Sequence, residues 1–442
     1  MFYQLYKNPI LLIKQLIYLF FIYIILEGVL RKWLFPNYSL QIYFLKDFFL
    51  IIIYILSFKY KLLWKSKFSK FFTAFAVLIT VPSFFIYELN NIGAVSFILG
   101  IKSYWFFMPL AFILAHTFTY NDVISFCKKN LYFIVPYFFL IISQSYSSPE
   151  SIINSGYFSI VKDPERPSAF FTYTTQNTFY FVFLLCCYYV WFLHKKNLTK
   201  KNIVTIIFLI FLLCSILVLL KSRAVYIYSF FISFASCFFI FNLSDKKIKI
   251  KKLLIIMIIT PIIFFGVSKL FISEFNFSKE RINTDVGKDL SITKPLEKFG
   301  YYEAVNLCID HSSLCRIIDD IYFVSYIPTY SYQAKGIGAG THLVAHFTQN
   351  QKLFLGENEN QRIMNELGQL VGTFFVTSKY IFIFLFSIFF LRKNKHAEIL
   401  IPILAFVLVI TLIGPITYST SFISLIFWIC LALLFSSFKD KT

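Results

Sequence analysis

Charged residues are scarce in this 442-residue chain. They fill 14% of positions, and only 22 are Asp or Glu, where about 25% charge is usual for a soluble domain. That scarcity, set against 58% apolar residues and a mean hydropathy of +0.71, excludes disorder and a soluble nucleic-acid binder. Eight cysteines do not make a disulfide scaffold. Cys186, Cys187, Cys214, Cys237 and Cys430 sit inside apolar runs, where cysteine behaves as a small hydrophobe. Cys127 lies in a short basic loop, and Cys308 and Cys315 alone share a polar segment, where a disulfide is permitted but not required. Nucleotide loops are missing as well. There is no GxxxxGK(S/T) run, no GxGxxG after a strand, and no cytoplasmic segment large enough for an ATPase. Gly336-Ile-Gly-Ala-Gly340 has the wrong context for a dinucleotide fingerprint.

What is present is apolar sequence in long runs. A membrane helix needs about 20 mostly apolar residues, because unsatisfied backbone groups are costly in lipid. Twelve such runs stand at about 10–29, 39–58, 71–87, 93–116, 131–146, 170–193, 203–220, 224–241, 253–270, 371–391, 399–413 and 417–436. The fold class is therefore an all-α polytopic membrane protein with about twelve spans, residues 1–270 carrying nine and 371–442 three. The abundance of Phe (59) and Tyr (29) is expected on lipid-facing surfaces. No cleavable signal peptide is expected, since Glu27 and Arg31 follow the first run directly.

The net charge of +20 is mainly a topology signal. Alternate connections (59–70, 128–129, 194–202, 242–252, 392–398) and the two termini, with Lys14 at the start of the first run, hold 23 basic residues, while the intervening short connections hold six. By the positive-inside rule both termini are expected in the cytoplasm. The connection 271–370 then forms a large extracytoplasmic loop between the ninth and tenth spans. It contains His311, His342 and His346, half of the six histidines, and a loop of that length usually has a role. Its part 279–321 reads as amphipathic helix, Gly336–Gly340 as a flexible turn, and Glu357–Leu367 as a helix leading into the tenth span.

Four segments on that outer face carry candidate chemistry. Glu27-Gly-Val-Leu-Arg31-Lys32-Trp33 closes the first span. Lys32 and Trp33 suit an ordinary head-group interface, whereas Arg31, four residues after Glu27, is expected to pair with it. Asp163-Pro-Glu-Arg166-Pro holds its backbone extended and presents Arg166 at the mouth of the bundle. Lys221-Ser222-Arg223 joins two nearly continuous spans, so Arg223 sits at the membrane surface, where a guanidinium needs an anion or a carboxylate; it is the best phosphate-binding candidate. In the long loop Arg281 could join it. Glu357, Glu359 and Glu366 are candidate general bases, although capping and solvated roles suit Glu359 and Glu366. His342 and His346 would share one helix face, but no third ligand accompanies them. No metal and no cofactor is expected. The span interiors hold few charges, chiefly Lys46, Asp47, Lys102 and Lys379, and no internal repeat appears, which disfavours a transporter.

In order and sidedness these motifs resemble the O-antigen polymerase and O-antigen ligase superfamily of bacterial envelope glycan assembly. The features that carry it are about twelve spans, Arg166-Pro-Ser-Ala-Phe-Phe before a central span, and Ser222-Arg223-Ala224 opening another. A Gly-Ile-Gly turn at 336–338 and a Glu-Asn…Glu-Leu-Gly stretch at 357–368 follow within the large loop. Glu27-Gly-Val-Leu-Arg-Lys-Trp33 is similar to the first-span ending of a polymerase-like subgroup. The resemblance implies glycosyl transfer at the periplasmic face of the inner membrane from an undecaprenyl-pyrophosphate-linked oligosaccharide. Arg223 and Arg281, with Arg166 and Arg31, would hold the pyrophosphate or glycan. Glu357, His342 or His346 would activate the acceptor hydroxyl. Membrane lipid and a chain-length regulator protein are further implied partners; nucleic acid is not. The ligases carry a His-Asn pair where alignment on Gly368 places Glu357-Asn358 here, which favours a repeat-unit polymerase over a ligase. A lipid-linked oligosaccharide flippase is the alternative from another class.

Overall fold

The computed structural model describes residues 8–63, 67–90, 94–148, 150–154, 166–172, 174–195, 198–240, 246–276, 334, 336–337, 359–413 and 421–439. Among the described residues the protein is mainly helical, without a strand. Eight helices among the described residues are long and apolar enough to cross a membrane: α1 Pro9–Leu34, α2 Pro36–Lys59, α4 Phe97–Thr117, α5 Tyr120–Tyr146, α6 Thr174–His194, α7 Lys200–Leu219, α9 Ile250–Leu270 and α10, which spans Arg362–Lys393 and begins at Glu359. Four shorter apolar helices are α3 Ser69–Phe85, α8 Ala224–Ile240, α11 Ala397–Thr411 and α12 Phe422–Ser436. Each lies on one of the apolar runs of the sequence. The chain is thus an α-helical membrane protein.

Local chemistry sets several helix starts. Asn8 accepts from the Leu11 amide to cap α1, Thr199 caps α7, and Thr119 with Asp122 forms a reciprocal capping box before α5. Burial then sorts the helices. Every residue of α6 from Asn177 to Leu193 is buried, as expected of a helix that is apolar all round and lies inside a bundle. It packs against α5, α8 and α11, while α12 packs on α4 and α11. Peripheral helices turn aromatic side chains outward: Phe48, Phe265 and Phe384 are among the most exposed apolar residues. Other phenylalanines, such as Phe20, Phe126 and Phe183, are fully buried, so the Phe surplus is shared between surface and core.

Ends that the charge pattern assigns to one side do meet. Lys14 of α1 bonds Asp122 at the start of α5 at 2.7 Å. The Tyr120 hydroxyl lies 3.0 Å from Nδ1 of His194, and its ring stacks on His396. At the opposite end Lys32 reaches Ala169, and Trp33 donates to the Ile152 carbonyl.

One element departs from expectation. The helix Glu359–Lys393 is broken at Gly368, where φ is 75° and ψ 167°. A continuous helix would separate residues 359 and 379 by about 30 Å. Instead Lys379 Nζ lies 3.0 Å from Glu359 Oε1, and Asn360 Nδ2 donates to Tyr380 Oη at 2.7 Å. A Cβ on Gly372 would stand 3.0 Å from Met364 Cα. The limb 359–367 is therefore folded back, antiparallel, along the span that follows. The sequence predicts a helix leading into that span and gives no sign of a reversal between the two; only a backbone that glycine tolerates permits it.

Candidate functional site

Three of the four candidate segments are described in part or whole, so that side chains in them can be placed. In the first, α1 ends in a π-turn, Leu30–Leu34, a widened geometry common at functional sites. Its two basic residues diverge. Arg31 donates through Nη1 to Glu27 Oε1 at 3.0 Å and through Nε to Ser39 Oγ at 3.0 Å, so the expected pairing with Glu27 is present. Glu27 also accepts from Lys46 on both oxygens, at 3.1 and 3.0 Å. Next to Lys46, Asp47 pairs with Lys102 of α4 at 2.5 Å. The three cations surround one ring: Arg31, Lys46 and Lys102 lie 5.1, 3.4 and 4.5 Å from the Tyr43 centroid. Cations over an aromatic face are held by its quadrupole, more strongly when desolvated.

Lys32 contradicts the interface expectation. It is 6% exposed, and its ammonium donates to Ala169 O at 2.6 Å and Ser168 Oγ at 3.1 Å. Those acceptors belong to the second segment, the turn that follows Arg166. Ala169 there adopts φ 46°, a left-handed conformation costly for a residue with a Cβ. Three helices hold it. Lys32 of α1 bonds its carbonyl, Gln144 of α5 accepts from its amide at 2.7 Å, and Asn177 of α6 donates to Pro167 O at 2.7 Å. Tyr137 in turn donates to Asn177. Gly28 lets α1 touch the turn directly, for a Cβ at that position would fall 1.9 Å from Phe170 O. Arg166, half-buried, sits at the start of this built turn.

The third segment is the folded-back limb. Glu366 is fully buried, accepts from Tyr104 Oη at 2.7 Å, and has Arg362 Nε at 3.7 Å. Arg362 lies over the Tyr104 ring at 5.7 Å. Gly336, at φ 96°, donates its amide to Glu366 O at 2.9 Å, so the chain at Gly336 meets the limb. Glu359 is 2% exposed and joined to Lys379. The solvated role expected for Glu359 and Glu366 is therefore overturned, since both are buried among ionic partners, although Glu359 does stand in the first turn of its helix.

Arg223 is the first residue of the helix Arg223–Ile240, and Lys221 before it takes φ 51°. The Arg223 side chain lies outside the described residues, as do Arg281, His342, His346, Glu357, Cys308 and Cys315. Among the described residues no cluster of three or more His, Cys, Asp or Glu could hold a metal.

No family model matches the chain, and neither does any curated protein or solved structure. Function must therefore be read from the residues themselves. Sequence reasoning singles out Arg31 and Arg166, and both lie in built surroundings. It misses Lys32, Lys46, Asp47, Lys102 and Tyr104. Four of these are ionisable side chains in or at the end of spans, and an ionisable residue in a span is a functional candidate by default. That signal is present in the sequence for Lys46, Asp47 and Lys102, although nothing there shows that these scattered charges connect. Pair contacts, with steps along the backbone between neighbouring residues, relate the segments. Contacts run from Ala169 to Lys32, from neighbouring Arg31 through Glu27 to Lys46, and from Asp47 to Lys102. Two residues on, Tyr104 reaches Glu366 and Arg362.

Proposed function

We propose that the protein is a membrane glycosyltransferase that polymerises undecaprenyl-pyrophosphate-linked oligosaccharide repeat units at the periplasmic face of a bacterial inner membrane. The observation that carries this reading is the set of buried ion pairs around the Arg31 turn and along the Glu359–Gly368 limb, Arg31 and Lys46 on Glu27, Lys102 on Asp47 and Lys379 on Glu359, beside which Lys32 bonds the turn that follows Arg166. Buried charges of this kind are expensive in a membrane protein and are kept where ions or charged substrates are handled. In this scheme the chain has twelve spans with both termini in the cytoplasm. Arg223 and Arg281, supported by Arg166 and Arg31, bind the pyrophosphate and stabilise the charge that develops as it leaves. Glu357, His342 or His346 takes the proton of the acceptor hydroxyl. The lipid pyrophosphate is its own leaving group, so neither nucleotide nor cofactor is required. Holding two lipid-tethered chains in one membrane plane supplies a further share of the rate.

The test is deletion of the gene with electrophoresis of the surface glycan. Loss of the ladder with single repeats retained supports a polymerase. Loss of all surface glycan, with long lipid-linked chains accumulating, moves the assignment to a ligase. Unchanged glycan refutes both. Arg223→Ala and Arg281→Ala should each abolish polymerisation while the protein remains in the membrane; normal glycan in both variants removes the pyrophosphate role.

A further inference from the structure

Lys32 lies beside Arg31 in sequence yet turns to a different task. Its ammonium is buried, and among the described residues its hydrogen-bond acceptors are the neutral Ser168 Oγ and Ala169 O. Those atoms belong to a turn whose backbone is left-handed at a non-glycine residue, Ala169. A lone alanine avoids that conformation, so the turn persists because its surroundings over-determine it. The restraints are a donor on the Ala169 carbonyl from Lys32, an acceptor for its amide from Gln144, and the Phe171 amide closing on Ser168 O at 2.9 Å. Asn177 fixes Pro167, the residue directly after Arg166. Strain of this sort collects where a side chain has to be aimed, and the group carried at the start of this turn is a guanidinium. We propose that Lys32 is a positioning residue, holding the strained Ser168–Phe171 turn so that Arg166 is set at the outer mouth of the bundle for the anionic head of a lipid-linked donor. The final clause rests on the glycosyl-transfer reading; the placement of Arg166 by Lys32 does not.

The experiment uses the full chain in proteoliposomes, with Arg166→Cys as reporter and Cys237, Cys308 and Cys315 replaced by serine. The other cysteines are buried. A membrane-impermeant thiol reagent reads the labelling rate of the thiol introduced at position 166. Lys32→Met should change that rate by roughly tenfold, the order set by alanine's preference for right-handed over left-handed backbone. Gln144→Leu, which loosens the same turn from α5, should change it in the same direction, and it supplies the answer if Lys32→Met does not fold. Adding Ala169→Gly to Lys32→Met should bring the rate back toward its starting value, because glycine takes a positive φ without strain. A rate indifferent to both Lys32→Met and Gln144→Leu overturns the proposal. So does a rate that Lys32→Met changes and Ala169→Gly fails to restore, since Lys32 would then act by some route other than the turn.

A second arm measures turnover of a lipid-pyrophosphate-linked repeat unit in the same vesicles with Arg166 intact. Lys32→Met should raise the apparent KM for donor as Arg166→Ala does, and the double variant should be no worse than Arg166→Ala alone. If labelling behaves as expected while turnover ignores both residues, the turn device stands and the donor-binding role falls.

Discussion

The folded-back limb makes the sharpest claim about this structure, and the Glu359–Lys379 pair tests it. Both side chains are buried, at 0% and 5% exposure, with the charged atoms 3.0 Å apart. Lys379→Met strands a carboxylate in the interior. Removing one partner of a buried pair costs about 3–5 kcal/mol, much of it from the uncompensated charge left behind. Glu359→Gln should be milder, since an amide still accepts from the ammonium. The double variant leaves no buried charge at either position and should be more stable than the sum of the singles implies, with a coupling of about 2 kcal/mol. Thermal unfolding of the detergent-purified protein, followed by its monodispersity, measures all three. A geometric assay runs beside it: cysteines at 359 and 379 should be joined by a short bifunctional thiol reagent. Were the helix straight, the sites would lie about 30 Å apart. Additive single effects together with absent cross-linking would refute the hairpin.

Three further outcomes follow from the same contacts. Gly368→Ala forces a side chain onto φ 75°, ψ 167°, a region that is essentially glycine's alone, and should cost about 1–3 kcal/mol; it should also weaken the 359–379 cross-link. Gly28→Ala drives a Cβ to within 1.9 Å of Phe170 O and should destabilise by about 1–3 kcal/mol through overpacking. Gly266→Ala, with nothing within 4 Å of the added carbon, is its control, expected to be neutral or stabilising in the same melting experiment. Lys46→Met leaves Glu27 paired with Arg31 but without its two Lys46 contacts and should cost about 1.5–3 kcal/mol, the worth of a hydrogen bond to a charged group. A melting temperature unmoved by that substitution would mean that Arg31 alone satisfies Glu27.

Sequence alone determined the class of fold and where the apolar helices fall, because both depend on local properties. Lipid demands runs of about 20 apolar residues with satisfied backbones, and such a run is visible wherever it stands. Charge between runs sorted their ends into two groups, and Lys14–Asp122 and Tyr120–His194 bring ends of one group together. The Glu27–Arg31 pair was legible too, since four positions is one helical turn. Tertiary structure decided the rest. Nothing local distinguishes a lysine that meets lipid head groups from Lys32, whose partners lie 136 and 137 positions away. Nor does spacing announce that Tyr104 will meet Glu366 across 262 residues, or that Glu359, so near a polar loop, will be buried. The reversal that buries it depends on a single backbone torsion at Gly368. Hydrophobic periodicity carries no record of such a torsion, and glycine only permits it. Packing is what selects it, by offering Glu359 a lysine and Glu366 a tyrosine inside the bundle.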